Sequence, residues 1–260
     1  MKMLKTTPVA ALVATLAPLS VAAQDNLVEE IRDRGSLRTC HAEAFPWAVV
    51  NPENNQWEGT DIEATKNLAE TLGVEHELVP STWGTLIPSL EAGTCDIVMA
   101  PLFRTAERAV RVLFSEPSGF ETKTIVAADA ASVSSYGDLD VADKTVLVVS
   151  GSADESFASR YFENAEVRAM VTDKVATLLV DVASGRADAL LVDSSTARKL
   201  VSENDTAPVG ILEEDNPLDP QGYSYAIRKG EYHFLNFVNV WQENAEQQGL
   251  KDAWSAMFSN

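Results

Sequence analysis

The stretch Val175-Ala-Thr-Leu-Leu-Val-Asp-Val-Ala-Ser-Gly185-Arg-Ala-Asp-Ala-Leu-Leu-Val-Asp193 decides the class of fold. Val175, Leu178, Leu179 and Val182 recur at i, i+3, i+4 and i+7, one apolar face of a helix that Gly185 stops. Ala187–Val192, apolar but for Asp188, then runs without alternation, the mark of a strand covered on both faces. Helix followed by doubly covered strand predicts a parallel sheet flanked by helices.

The same grammar extends in both directions. Asn26–Arg34 reads as a short helix stopped by Gly35, and Leu37–His41 as a strand. Ile62, Leu68, Ala69 and Leu72 form a helix face closed by Gly73. Val74–Val79, Leu86–Ala92 and Asp96–Ala100 follow as strand, helix and buried strand. Val146–Val149 and Ser152–Phe162 repeat strand and helix. Phe234, Phe237, Val238, Trp241 and Ala245 make a later stripe, with Leu250, Trp254, Met257 and Phe258 making another, and both sets are expected in the core. Two α/β halves, with the extended Thr122–Ala128 run and the turn-rich Glu213–Gly222 segment as crossing points, account for the 260 residues better than one sheet.

Composition removes several function classes. Thirty-nine acidic against 20 basic residues give a net charge of −19, the wrong sign for a nucleic-acid binder. Two cysteines and three histidines exclude a disulfide-built scaffold and leave little for a metal centre. No Ser/His/Asp arrangement or phosphate loop is present, and no cofactor is called for. Lys2 and Lys5, the apolar Pro8–Val21 run and Val21-Ala-Ala23 read as a secretory signal peptide, 1–23, cleaved after Ala23. The run is too short for the roughly 20 residues that span a bilayer. No cysteine at the cleavage point offers a lipid anchor.

Gly59-Thr-Asp-Ile-Glu-Ala, Trp83-Gly-Thr-Leu-Ile-Pro-Ser-Leu-Glu-Ala-Gly93, Asp96-Ile-Val-Met, Thr105-Ala-Glu-Arg108 and Phe114-Ser-Glu-Pro117 occur in this order. Val146–Gly151, Ser184-Gly-Arg-Ala-Asp-Ala, Asp193 and Tyr225-Ala-Ile-Arg-Lys-Gly230 complete a set that resembles the bacterial extracellular solute-binding proteins of family 3. The resemblance implies a type II periplasmic-binding-protein fold: two parallel-type sheets with flanking helices, joined by two crossing segments and closing on a ligand. Lobe 1 would be 24–121 plus 222–260, lobe 2 129–212, and the hinges 122–128 and 213–221. It also implies a monomer in the periplasm that captures an amino acid or related small zwitterion for an ABC permease, with no enzymatic activity.

Arg108 matches the family arginine that pairs with a ligand carboxylate, and a guanidinium does this bidentately. Thr105 is placed to cap its helix. Ser152 opens another helix with Glu155 at capping-box spacing, where first-turn amides can also hold a carboxylate. Asp193 matches the acid that accepts from a ligand ammonium, while N-capping the helix Ser194–Leu200 serves equally. Ala100, Pro101 and Phe103 replace the family's small polar residues. His41 aligns with an acid, with Glu43 nearby, and Ala44-Phe45-Pro46-Trp47 replaces an aromatic-Pro-Pro element. Phe45, Trp83 and Phe103 either face the ligand or pack the lobe. Facing it, they favour a neutral-bodied or methylated zwitterion over arginine, lysine or glutamate.

Two alternatives stay open. Cyclohexadienyl dehydratases share the fold and use a carboxylic acid as proton donor, a part Glu43 can fill. Cys40 and Cys95, in Leu-Arg-x-Cys and Gly-x-Cys-Asp contexts, resemble accessory binding proteins of quinoprotein dehydrogenases. Whether the two thiols bridge is also open: an exported chain permits it, while their strand positions suggest an offset near the ~7 Å Cα limit.

Overall fold

Alternating helices and strands fill the structure, a computed structural model that describes residues 26–172 and 174–258. The signal peptide lies outside the described residues. No helix among them is long and apolar enough to cross a membrane.

The chain begins with α1 (Leu27–Arg34), β1 (Ser36–His41), the small hairpin β2 (Val49–Val50) and β3 (Trp57–Glu58), α2 (Thr60–Leu72), β4 (Glu75–Pro80), α3 (Leu86–Glu91), β5 (Ile97–Phe103), α4 (Ala106–Ala109) and β6 (Val112–Phe114). The long strand β7 (Gly119–Ala128) leads to β8 (Thr145–Val149), α5 (Ala153–Tyr161), β9 (Glu166–Met170), α6 (Ala176–Ala183), β10 (Ala189–Asp193), α7 (Ser194–Glu203) and β11 (Val209–Ile211). The second long strand, β12 (Leu218–Arg228), returns the chain to α8 (Tyr232–Gln247) and α9 (Leu250–Met257).

Hydrogen bonds join the main strands in the order β4-β1-β5-β12-β7-β10-β8-β9. Two parallel groups, β4-β1-β5 and β10-β8-β9, flank the antiparallel pair β12-β7. The two expected parallel sheets are thus continuous through the long strands. This is the two-lobed α/β architecture expected, and each lobe is covered on both faces.

Strand alternation sorts the core. Ile97 and Met99 face a cluster with α1, α2 and α8, while Val98, Ala100 and Leu102 face α3. In the second lobe Val126, Leu147 and Leu190 face α6, while Ile125, Val146 and Leu191 face the other side. Helix ends follow local chemistry. Asn26 caps α1 through its side chain, and Gly73, at φ +74°, ends α2 in the left-handed conformation that glycine adopts without strain.

One expectation changes here, and one open question closes. Helix α9 contributes no buried residue, and Met257 is 60% exposed. The helix packs on α2 and α8 at the edge of the core, with Trp254 stacked on Trp241 at 6.4 Å between centroids. Cys40 and Cys95 form a disulfide with Cα atoms 5.7 Å apart. Cys95 lies in the turn before β5 rather than opening the strand, and there it comes within bridging distance of β1.

Candidate functional site

The carboxyl ends of parallel strands are where α/β sheets leave room for ligands. A cavity of about 530 Å³, open to solvent, lies there between the lobes. Glu43, Trp47, Trp83, Pro101, Phe103 and Arg108 line it from one side. Glu121 of β7 joins them, and Ser152, Ala153, Asp154, Asp193 and Thr196 face them from the second lobe.

Arg108 sits in the short helix α4, whose first turn is held by Thr105: its hydroxyl oxygen accepts from the Arg108 amide at 3.3 Å. The guanidinium is aimed by two carbonyls, donating through Nη1 to Phe103 (3.1 Å) and through Nη2 to Gly151 in the other lobe (3.1 Å). Burial lowers its pKa to about 10, against the attraction of Asp154 and Glu107. Gly151 permits this approach. At φ +79°, a Cβ built there would stand 2.5 Å from the Gly84 Cα across the cleft.

Ser152 caps α5 by accepting from the Glu155 amide at 3.3 Å, and its hydroxyl donates to the Val149 carbonyl. Glu155 reaches back one residue further than a capping box requires, accepting from Gly151 N–H at 2.7 Å. The first amides of a helix have no intrahelical acceptor and favour an anion. Asp193 ends β10 and caps α7, accepting from the Thr196 amide at 2.8 Å, so capping and cavity lining coexist. Burial, then Asp154 and Glu121, push its pKa up to about 7.

Sequence reasoning missed Glu121, Asp154 and Lys123. Glu121 accepts from the Thr122 amide (2.8 Å) and from the Ser195 hydroxyl. Asp154 was read only as part of the Ser152–Glu155 capping pattern. Burial raises its pKa, and Lys123 and then Arg108 oppose that rise. Lys123 is fully buried. Its ammonium lies 3.4 Å from Asp219, 3.7 Å from Asp154 and 3.7 Å from the Phe103 ring centroid. A lysine opening the apolar Thr124–Ala128 run was the available signal, because charge in a strand bound for the core needs partners.

Of the residues singled out in the sequence, the fold gathers Arg108, Asp193, Trp83, Phe103, Ser152 and Glu43 around one cavity. Ala100 is not among the lining residues. Strand alternation turns it toward α3, and Pro101 and Phe103 take the cavity side. Phe45 also lies off the lining, because its ring meets the Lys199 ammonium of the second lobe at 4.6 Å. Trp47 lines the cavity in its place. His41 is buried against Thr39, and burial lowers its pKa to about 3. Among the described residues no group of three His, Cys, Asp or Glu is disposed to hold a metal.

The model of the bacterial extracellular solute-binding proteins, family 3, matches residues 37–258. The chain belongs to this family. Among its relatives, a cyclohexadienyl dehydratase of Pseudomonas aeruginosa is 26% identical over 242 residues, covering 92% of this chain and 88% of its own. The L-cystine-binding protein TcyJ of Escherichia coli is 28% identical over 252 residues, covering 93% and 91%. An ancestral arginine-binding protein bound to arginine superimposes with a TM-score of 0.79 at 30% identity, covering 87% of this chain and 99% of its own. Family members of this kind are periplasmic amino-acid-binding proteins, and one relative is an enzyme on the same frame.

Proposed function

We propose that this chain captures an amino acid with a cationic side chain between its lobes and hands it to an ABC importer. The excess of carboxylates over cations around Arg108 carries the reading. Glu121, Asp154 and Asp193 line the cavity; among the described residues Arg108 is the one cation lining it, and Lys123, paired with Asp154, stands behind Phe103. A zwitterion alone needs one cation and one acid. The surplus acid is costly to enclose without a further positive charge.

The roles follow from position. Arg108 and the first amides of α5 take the ligand carboxylate. Asp193 takes the ammonium. Glu121 and Glu43 receive the side-chain cation among the faces of Trp47, Trp83 and Phe103, where cation–π attraction adds to ionic pairing. The neutral-bodied zwitterion expected from the aromatics counted only Arg108 and Asp193 as charged ends of the cleft; Glu121 and Asp154 favour the cationic class instead. The arginine-bound ancestral neighbour supports the same ligand class. Closure would turn about β7 and β12, the strands shared by both lobes, and scattering with saturating ligand should show a smaller radius of gyration. Export by the 1–23 segment would place the protein beside its permease.

Calorimetry with arginine, lysine, ornithine, glutamine, glutamate and betaine tests the reading. Dibasic amino acids should bind most tightly. A response confined to neutral or acidic ligands would overturn the cationic class, and silence toward all amino acids would overturn capture itself.

One observation favours a second reading. Asp193, held near 7, is poised as a proton donor at neutral pH, and a dehydratase must protonate a departing hydroxyl. Loss of water together with carbon dioxide from a carboxylated hydroxycyclohexadiene, the C–CO2 bonding pair entering the ring as the protonated hydroxyl departs, creates an aromatic ring with strong ultraviolet absorbance. Appearance of that absorbance in wild type and its loss in Asp193→Asn would establish catalysis.

A further inference from the structure

The fold sets Phe45 just outside the cleft, between two residues that line the cavity, Ala44 and Trp47. The loop that presents it is tied down. Ala44 and Ala48 exchange backbone hydrogen bonds of 2.8 Å. The Pro46 and Trp47 carbonyls accept from the Thr60 and Asp61 amides, at 3.0 and 2.9 Å, where α2 begins. Gly59 permits this seating: at φ +137°, a Cβ built there would stand 2.2 Å from the Trp47 carbonyl oxygen.

The residue facing Phe45 is equally fixed. Lys199 belongs to α7, whose first turn is held by the Asp193 cap and whose Thr196 lines the cavity. Ala197 and Leu200 bury the inner side of this helix in the second lobe. One turn beyond Thr196, the Lys199 ammonium lies 4.6 Å from the centroid of the Phe45 ring, within the range of a cation–π contact. It also pairs with Glu203 at 2.7 Å, four residues on along the same helix. The two contacts differ in one respect. The Glu203 pair stays whole however the lobes stand, whereas the Phe45 contact runs from one lobe to the other and parts when they do.

We propose that Phe45 and Lys199 form a latch that sets how long the closed cleft holds its ligand. The inference rests on capture between the lobes, whichever amino acid is taken. Neither residue lines the cavity, so the latch acts alike on every ligand the lobes close over, unlike Arg108 and Asp193. Ligand enters while the lobes are apart and the contact is not yet made, so association is untouched. Release must first part ring and ammonium. The Lys199 side chain is 32% exposed, so its charge is partly withdrawn from water, which strengthens its attraction to the ring face. Loss of such a contact corresponds to release faster by about twofold to fivefold.

Two readouts test the latch. Protons held over an aromatic face resonate upfield, so the Lys199 ε-methylene signal, assigned by substitution, should lie upfield of that of a solvated lysine. It should move back in Phe45→Leu, which keeps the apolar bulk and loses the π face. Stopped-flow tryptophan fluorescence with L-arginine gives the rates. Phe45→Leu and Lys199→Gln should each release arginine about two to five times faster with unchanged association. The double variant should release it no faster than either single one, because both remove the same contact. Phe45→Tyr should behave as wild type. A Lys199 signal unmoved by Phe45→Leu, wild-type release rates in the variants, or additive losses in the double variant would overturn the latch. Silence toward arginine would overturn the cationic ligand class of the cleft, and the Lys199 signal of the ligand-free protein would then decide the latch alone.

Discussion

Asp96 and Asp193 are acids at opposite ends of comparable strands, and their surroundings could hardly differ more. Asp96 precedes β5, its side chain fully buried. It accepts from the Arg38 amide at 2.9 Å, from the Arg38 guanidinium at 2.8 Å and from that of Arg34. Asp193 closes β10 with one amide donor, and its near neighbours Asp154 and Glu121 share its sign. The amino end of one parallel strand is finished with donors from the protein itself. The carboxyl end of the other leaves an acid short of donors, facing a cavity. An acid saturated by its own chain holds the fold together, and an acid kept short of donors awaits something from outside.

Substitutions can break this contrast. The largest effect is expected from Asp96→Ala, which strands two guanidiniums and should cost about 3–5 kcal/mol of stability. Urea unfolding measures it, and the surviving folded protein should bind ligand as wild type does. Arg108→Ala should show the opposite profile, losing roughly 2–5 kcal/mol of binding by calorimetry with little change in unfolding midpoint. An intact affinity would remove Arg108 from the cleft chemistry.

Asp193→Asn should lose about 1.5–3 kcal/mol of binding, the scale of a charge-assisted hydrogen bond. Its pH behaviour sharpens the contrast further. The folded carboxyl keeps its proton to about pH 7, whereas an unfolded one releases it near pH 4. Between those values the folded state holds more protons, so ligand-free stability falls as pH rises through the window and levels off above it. Asparagine removes that slope. The difference between wild type and variant cancels Asp61, which shares the sign, and His41, which opposes it. Identical slopes would contradict the assignment. The smallest effect belongs to Arg108→Lys, which should restore about 1 kcal/mol of the alanine loss, since an ammonium keeps the charge without the planar fork.

Local signals in the chain reached far into the fold and only partway into the site. Periodicity located α2 and α6, an apolar run without alternation located β10, and Thr105 and Ser152 cap the helices they were expected to cap. These features depend on residues a few positions apart. Strand β9 went unread because Glu166–Met170 is charged and half-exposed at the end of the strand order. Strand β12 begins at Leu218, inside a segment read as turn, because its pairing with β7 depends on residues almost a hundred positions away. Glu121 and Asp154 escaped for the same reason, since their importance comes from standing near Arg108 and Asp193 in space. Ala100 shows the converse. One residue of strand parity separates a cavity wall from a core, and an alignment of motifs does not carry that parity.

Among the described residues Trp47 is the one side chain that walls both the interlobe cavity and a second cavity bordered by α2, α8 and α9. If its indole settles differently according to what lies on either side, occupancy of one chamber becomes a modulator of the other. Thermodynamic reciprocity then applies: whatever factor the packing behind Trp47 exerts on the cleft, an occupied cleft must exert on that packing. A single coupling constant, readable from either face of one indole, would describe how the two chambers weigh on each other.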